Sequence, residues 1–334
     1  MLAGVSSATS TGMKILVTGG AGYIGSICVE HLLGYGHKII VLDNLSEGHR
    51  AAVDPRAEFH ELDLANRVDL FRLLEQVRPD AVMHFAANAL VPESMTNPSK
   101  YFRNNVANGI NLLEGCVQAG VGKFIFSSTC AIFGVPKHVP ITEDQLKEPI
   151  NPYGESKLMF ERILNWYHRQ HGLTYVCLRY FNAAGCSQKF GEHHRQETHI
   201  IPNVLKVPLG QKPRVEVFGT DYPTPDGTCV RDYIHIVDLA QAHRLALDVK
   251  QSDVFNLGSG DGYSVRQVIE SARKVTGHPI PVIENPRRPG DPPKLVGDST
   301  KIRKQLGWKP RYDSIDAIVE SAWLWHKAHP KGYA

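Results

Sequence analysis

Tyr153 and Lys157 stand four residues apart in Tyr153-Gly154-Glu155-Ser156-Lys157, a spacing that sets a phenol and an ammonium on one face of a helical turn. A phenol ionises near pH ~10, and a cation ~4 Å away in an effective dielectric of ~20 contributes about 4 kcal/mol, roughly three pK units. Discounted for solvent, that is enough to bring Tyr153 toward neutrality, where a phenolate is a general base for an alcohol O–H. Such pairs also arise by chance as a surface tyrosine beside a solvated lysine, so context decides. Here the apolar run 123–126 ends in Ser127-Ser128-Thr129, which offers hydroxyls to orient the same oxygen.

A second constellation precedes this pair. Gly19, Gly22 and Gly25 follow the apolar run 14–18, and Asp43 ends the next apolar run, 18 residues past Gly25. Glycines at this spacing let a strand turn sharply into a helix, bring backbone N–H groups to a pyrophosphate at the helix's positive end, and let helix pack on strand. Strand, helix and acid are in register, so a dinucleotide site is expected rather than a tight turn alone. Asp43 accepts hydrogen bonds from a ribose diol and repels a 2′-phosphate, which favours NAD over NADP; the alternative is a carboxylate that caps the next turn.

The elements around these residues alternate. Strands are predicted over 14–18, 38–42, 58–62, 81–85, 123–127 and 175–180, with helices starting at Ile24, Ala65, Tyr101 and Ser156. Continuous hydrophobicity in several strands points to a parallel sheet covered on both faces: an α/β, Rossmann-type doubly wound fold with a smaller, mostly C-terminal α/β lobe. Ligands gather at the carboxyl ends of such strands. After residue 182 the chain becomes richer in Gly, Pro and charge. One more sheet-like run returns at 254–257, before a helix opened by the capping box Ser264/Gln267. A last helix carries Ile315, Ile318, Val319 and Ala322 on one stripe, with Trp323 and Trp325 as packing residues. The expected division is an extension over 1–12, a nucleotide-binding domain over 13–182 with a return near 233–262, and a ligand lobe over 183–232 and 263–334.

With 334 residues, a net charge of +3 and 21% charged residues, the chain has no basic footprint for nucleic acid. No stretch is long and apolar enough for a membrane span. Residues 1–12 lack the charged and apolar regions of a signal peptide and read as disordered. Six cysteines lie far apart without a C-x-x-C pair and are expected as reduced thiols in a cytoplasm. His193, His194 and His199 beside Glu192 match no metal-ligand spacing, so that stretch is expected to be a solvated loop, with no metal.

Taken together, Gly19-Gly20-Ala21-Gly22-Tyr23-Ile24-Gly25, Asp43-Asn44-Leu45, His84-Phe85-Ala86-Ala87, Ser127-Ser128-Thr129, the Tyr153–Lys157 motif and Arg179-Tyr180-Phe181-Asn182 resemble the extended short-chain dehydrogenase/reductase superfamily. Asp226-Gly227-Thr228-Cys229-Val230-Arg231-Asp232-Tyr233-Ile234-His235 and Arg287-Arg288-Pro289-Gly290-Asp291 resemble its nucleotide-sugar epimerases, and the likeness runs from Lys14 to about Tyr333. The resemblance implies that Tyr153 is the base, that Lys157 anchors the nicotinamide ribose and tunes Tyr153, and that Thr129 bridges to the sugar 4-hydroxyl. It implies NAD contacts at Tyr23, Ile24, Asp43, Asn44, Asp63, Leu64, Phe85, Ala86, Ala87, Asn104 and Phe181, alongside Gly19, Gly22 and Gly25. It implies UDP-sugar contacts at Asn182, His199, Val217, Phe218, Arg231, Arg288, Asp291 and Leu295. Arg231 and Arg288 suit a pyrophosphate clamp and equally an ion pair with Asp232 or Asp291.

The implied activity is reversible oxidation of a UDP-hexose at C4, with NAD kept as a prosthetic group, and the implied assembly is a homodimer paired through helices near 101–119 and 156–171. Three residues depart from the commoner pattern: Ala89 where some members have lysine, Thr129 for serine, and Leu295 where some have a tyrosine that narrows the sugar pocket. Leucine leaves room for an N-acetyl group, and UDP-pentoses are equally compatible. A dehydratase or decarboxylase needs an Asp-Glu pair after Thr129, where Cys130-Ala131 stand. A non-catalytic NAD sensor is expected to lose the Tyr-Lys pair.

Overall fold

The computed structural model describes residues 12–288 and 291–333; the expected extension before Gly12, and Pro289-Gly290 of the second arginine motif, lie outside the described residues. In chain order the first half runs β1 (Lys14–Thr18), α1 (Tyr23–Gly34), β2 (Lys38–Asp43), β3 (Glu58–Glu61), α2 (Arg67–Val77), β4 (Ala81–His84), α3 (Val91–Thr96), α4 (Pro98–Tyr101), a π-helical turn (Phe102–Ala107), α5 (Asn108–Gln118), β5 (Lys123–Thr129), α6 (Pro152–His171) and β6 (Thr174–Tyr180). The second half runs β7 (Asn182–Ala184), α7 (Ile200–Leu205), β8 (Val215–Phe218), β9 (Val230–Arg231), β10 (Tyr233–His235), α8 (Ile236–Ala246), β11 (Asp253–Leu257), β12 (Tyr263–Ser264), α9 (Val265–Thr276), β13 (Val282–Asn285), β14 (Lys294–Leu295), α10 (Thr300–Leu306) and α11 (Ile315–Ala328).

Seven strands form one parallel sheet in the order β3-β2-β1-β4-β5-β6-β11. The pleat sends alternate residues to opposite faces. Ile15 and Val17 of β1 therefore join one core with Ile27 of α1 and Leu239 of α8, while Leu16 joins a second with Leu74 of α2, Leu112 of α5 and Phe160 of α6. Both faces are covered, which explains the unbroken apolar runs. Local chemistry moves two helix starts: Asn66 accepts from Asp69 N at 3.3 Å and starts α2 after Ala65, and Asn151 accepts from Gly154 N at 2.8 Å and starts α6 before Ser156. Tyr153 thus sits in the first turn of α6.

The remaining elements build a third core from α7, α9, α11 and β8, with Val204, Val217, Ile269, Val319 and Trp325 buried together. The Ser264/Gln267 capping box is present. Among the described residues, no helix is long and apolar enough to cross a membrane. All six cysteines are free and buried.

Candidate active site

β1 passes into α1 through the glycine turn. Gly19 has φ of 74°, and a Cβ on it would lie 2.5 Å from Ala86 N, while one on Gly25 would lie 2.1 Å from Gly19 O. Folding alone requires those two glycines. A Cβ on Gly22 would meet only Gly19 O, at 3.4 Å, so space stands open beside it. Gly22 caps α1 without a side-chain hydrogen bond, leaving the first N–H groups of the helix with no side-chain acceptor. That glycine-lined helix end fits a pyrophosphate.

Asp43, at the end of β2, is buried; its Oδ2 accepts from Ala21 N and its Oδ1 from Leu45 N, both at 2.9 Å. It therefore caps the next turn as well, and each oxygen keeps a lone pair for a ribose hydroxyl. Burial raises its pKa against those two bonds. Asn44 Nδ2 donates to Asp63 Oδ2 at 2.7 Å, tying together the ends of β2 and β3. Phe85, Ala86 and Ala87 follow β4 beside the glycine turn, with Phe85 against the His243 ring. Two expected contacts turn inward: the Tyr23 hydroxyl donates to Gly185 O at 2.6 Å, and Leu64 is buried in the second core. Only their backbone remains to face a ligand. Ile24 packs against the first core, and Asn104 Nδ2 donates to Asn105 Oδ1 at 3.1 Å.

At the carboxyl end of β5 the three hydroxyls separate. Ser127 pairs with the Tyr180 hydroxyl, Ser128 donates to Glu161 Oε1 at 2.6 Å, and Thr129, whose Oγ1 accepts from Ala131 N at 3.1 Å, is near enough to the Tyr153 phenol to favour its ionisation. One hydroxyl of the three accompanies the base. Lys157 is 3% exposed, donates to Ser127 O at 2.9 Å and lies 4.8 Å from the Phe126 ring centroid. The expectation that Lys157 lowers the Tyr153 pKa toward ~7 needs correction. Burial pushes Tyr153 up to about 12, opposed by Thr129, and pushes Lys157 down to about 7, opposed by Glu161. Each group is driven toward its neutral form because low polarity penalises either charge.

Sequence reasoning missed the support beneath this pair. Arg179 on β6 donates from Nε and Nη2 to the two oxygens of Glu161 at 2.9 and 2.6 Å, and both residues are buried. Glu161 is four residues beyond Lys157 on α6, so the same i,i+4 arithmetic that picks out Lys157 reaches it.

Across the cleft, β9 pairs with β14, setting Arg231 opposite Leu295. Arg231 is paired with Asp291, whereas Asp232 is buried and accepts from Ser259 N, Ser259 Oγ and Gly297 N. Of the two expected ion-pair partners, Asp291 is the one used. The Arg288 guanidinium lies 4.0 Å from the Phe218 ring centroid. Val217 turns its side chain into the third core, away from any ligand. Asn182 Nδ2 donates to Asp232 O at 3.0 Å. Leu295 packs against the small core of Cys130, Ile132, Phe133, Ile141, Leu158 and Phe181. The stretch around Glu192 is a loop with Arg195, Gln196 and His199 exposed, but Glu192 itself is buried, with His199 Nδ1 and His194 Nε2 approaching its carboxylate at 2.7 and 3.2 Å.

A family model described as the NAD dependent epimerase/dehydratase family matches residues 15–258. The chain is 51% identical over 327 residues to the UDP-glucose 4-epimerase of Lactobacillus helveticus, covering 96% of this chain and 99% of that one. It superposes on a crystal structure of UDP-glucose 4-epimerase with a TM-score of 0.94 at 46% identity, covering 96% of this chain and 99% of the other. The UDP-glucose 4-epimerase of Bifidobacterium longum, solved in complex with NAD+ and UDP, has a TM-score of 0.91 at 38% identity, with 96% and 99% covered. On its glycine turn, its Tyr-Lys helix and this likeness along nearly its whole length, the chain belongs to the NAD dependent epimerase/dehydratase family.

Proposed function

We propose that the protein interconverts the 4-epimers of a UDP-hexose, UDP-glucose and UDP-galactose foremost, with NAD held as a resident cofactor. The observation that carries this reading is the glycine turn whose open space at Gly22 suits a pyrophosphate. It lies on the same sheet as β5, where Ser127 O anchors the Lys157 side chain and Thr129 favours ionisation of the Tyr153 phenol. Gly19, Gly22 and Gly25 with the N–H groups of Tyr23 and Ile24 hold the pyrophosphate, and Asp43 the adenosine ribose. Phe85, Ala86, Ala87, Asn104 and Phe181 line the path toward Lys157. Bound NAD supplies a hydride acceptor and donor for C4 and the positive charge of its nicotinamide ring.

Tyr153 accepts the proton of the sugar 4-hydroxyl, and Thr129 holds that oxygen in line. Lys157, fixed by Ser127 O, stands beneath the site, and Tyr153 ionises where the positive nicotinamide charge offsets its burial. Arg231 and Arg288 clamp the diphosphate, with Asp291 orienting Arg231 and Asn182 beside them. Binding energy is thereby spent away from C4, and the 4-keto sugar turns about its link to the anchored diphosphate to present its other face. Tyr153 then returns the proton to the 4-oxygen. The residues divide accordingly: 13–182 with a return near 233–262 hold NAD, and 183–232 with 263–334 hold the UDP-sugar.

We place the protein in the cytoplasm, consistent with six buried free thiols, and as a homodimer through α5 and α6, where Trp166 stands 59% exposed in the single chain. The test is incubation with UDP-glucose, UDP-galactose, their N-acetyl forms and UDP-xylose, followed by separation of the C4 epimers. Turnover of the hexoses is expected; conversion of none of them, by protein retaining NAD, overturns the reading.

A further inference from the structure

The segment joining β7 to α7 carries Glu192, His194, Glu197 and His199 within eight residues, and one ligand atom from each lies within 4.8 Å of every other. Glu192 Oε1 is 2.7 Å from His199 Nδ1 and 3.2 Å from His194 Nε2, and His199 Nδ1 is 3.4 Å from Glu197 Oε1. These are short approaches without hydrogen-bond alignment. Glu192, 3% exposed, keeps Oε1 buried with no hydrogen-bond partner, and His194 Nε2 is likewise buried without one. Lone pairs on four side chains therefore converge on one point, and an isolated polar atom buried this way is costly unless something completes it.

We propose that these four residues form a zinc site. Zinc bonds of ~2.0–2.2 Å in a tetrahedron separate neighbouring ligand atoms by about 3.3–3.6 Å. Two of the observed separations, 3.2 and 3.4 Å, lie close to this, while Glu192 and His199 at 2.7 Å would open and the widest, up to 4.8 Å, would close on binding. Two imidazoles with two carboxylates suit zinc better than calcium or magnesium, which take oxygen ligands, and the set lacks the thiolates of a copper(I) site. Four protein ligands fill the coordination shell, so the role is structural.

The position shows what the metal fastens. His194 meets the Tyr23 ring edge-on at 6.0 Å, and His49 Nε2 lies 3.0 Å from His193 O. Tyr23 opens α1, so a metal-clipped segment is pressed against the first turn of the nucleotide-facing helix. Asn203 Nδ2 donates to Glu197 O and His199 O at 3.2 and 2.8 Å, fixing the backbone of two ligands from α7. The site also takes the His199 ring away from the sugar.

The experiment uses the full chain. Metal content of purified protein is measured by mass spectrometry, the protein is stripped with a chelator, and zinc chloride is titrated back by calorimetry. One zinc per chain, retained through gel filtration, is expected; His194→Ala and Glu197→Gln should reduce it to near zero, and His193→Ala should leave it unchanged. Cobalt(II) in the stripped wild type should give the intense visible absorption of a tetrahedral site, a reading that stands even where a variant fails to fold. Substoichiometric zinc in wild type, equal uptake by folded His194→Ala (adventitious binding at surface imidazoles), or the weak spectrum of octahedral cobalt overturns the proposal.

Discussion

A buried phenol whose ionisation one threonine favours can be tested by removing a single oxygen. Tyr153→Phe deletes the proton acceptor while its ring still fills the space near Tyr101, 6.5 Å away. Turnover is expected to fall on the order of 10²–10⁴-fold, with the fold and retained NAD intact. Assaying kcat with UDP-galactose, and the nucleotide released on denaturation, checks both halves; near-normal turnover removes Tyr153 from the mechanism. Leu295 offers a second test. It is half-buried against the small core that holds Cys130 and Phe181, and Leu295→Tyr pushes a phenol into that corner at an overpacking cost of ~1–3 kcal/mol. If the corner receives the N-acetyl group, kcat/KM for UDP-N-acetylglucosamine should drop several-fold or more relative to UDP-glucose. An unchanged ratio leaves Leu295 a packing residue. At this scale the sequence discloses which groups can react but not their surroundings: spacing alone brings Lys157 to Tyr153, whereas the burial that pushes both toward neutrality depends on chain segments far away.

Strand-end chemistry works only if α6 is held at a fixed height against β5 and β6, and the Glu161–Arg179 pair with Ser128 does this from inside the protein. Both side chains are buried, 6% and 3% exposed. Glu161→Ala strands the Arg179 charge and the Ser128 hydroxyl, an expected loss of ~3–5 kcal/mol. Glu161→Leu combined with Arg179→Met removes both charges and should be the milder change. Urea unfolding of the two variants decides the matter: a double variant less stable than Glu161→Ala would mean the pair contributes more than it costs to bury. The parallel sheet was legible because most of its strands carry an unbroken apolar stretch, as at residues 15–17 in β1 and 124–126 in β5. Elements such as β9, β12 and β14 contain two residues each and pair across 30 or more positions. No period can be read from two residues.

Across the whole molecule, three buried histidines sit in different parts of the fold and share one consequence. His84 ends β4 with Nδ1 2.6 Å from Thr18 Oγ1, His235 meets Ser321 Oγ at 2.9 Å, and His243 lies on α8 with Nδ1 2.9 Å from Leu239 O. Burial pushes them down from 6.5 to about 3, 4 and 4; for His84 the Lys157 charge adds to it, and for His243 the Leu239 carbonyl opposes it. The folded chain thus keeps all three neutral where the unfolded chain, titrating near 6.5, takes up protons. Stability is fully present above that value and falls as pH drops through it, because the unfolded state binds more protons. Each group contributes up to ~1.4 kcal/mol per pH unit, together about 4 kcal/mol per unit. Against a typical total of ~5–15 kcal/mol, that slope brings unfolding within one to a few units of pH 6.5. Urea midpoints measured between pH 7.5 and 5 at constant ionic strength should fall steeply below 6.5. His31, His37, His49, His193 and His326 are shifted down too and add to the slope. His243→Leu should therefore reduce it by up to ~1.4 kcal/mol per pH unit, one titrating site's share, whatever it does to stability at pH ~7.5. A midpoint that stays level from pH 7 to 5.5, or an unaltered slope in His243→Leu, would show that these imidazoles do not set the acid limit of the fold.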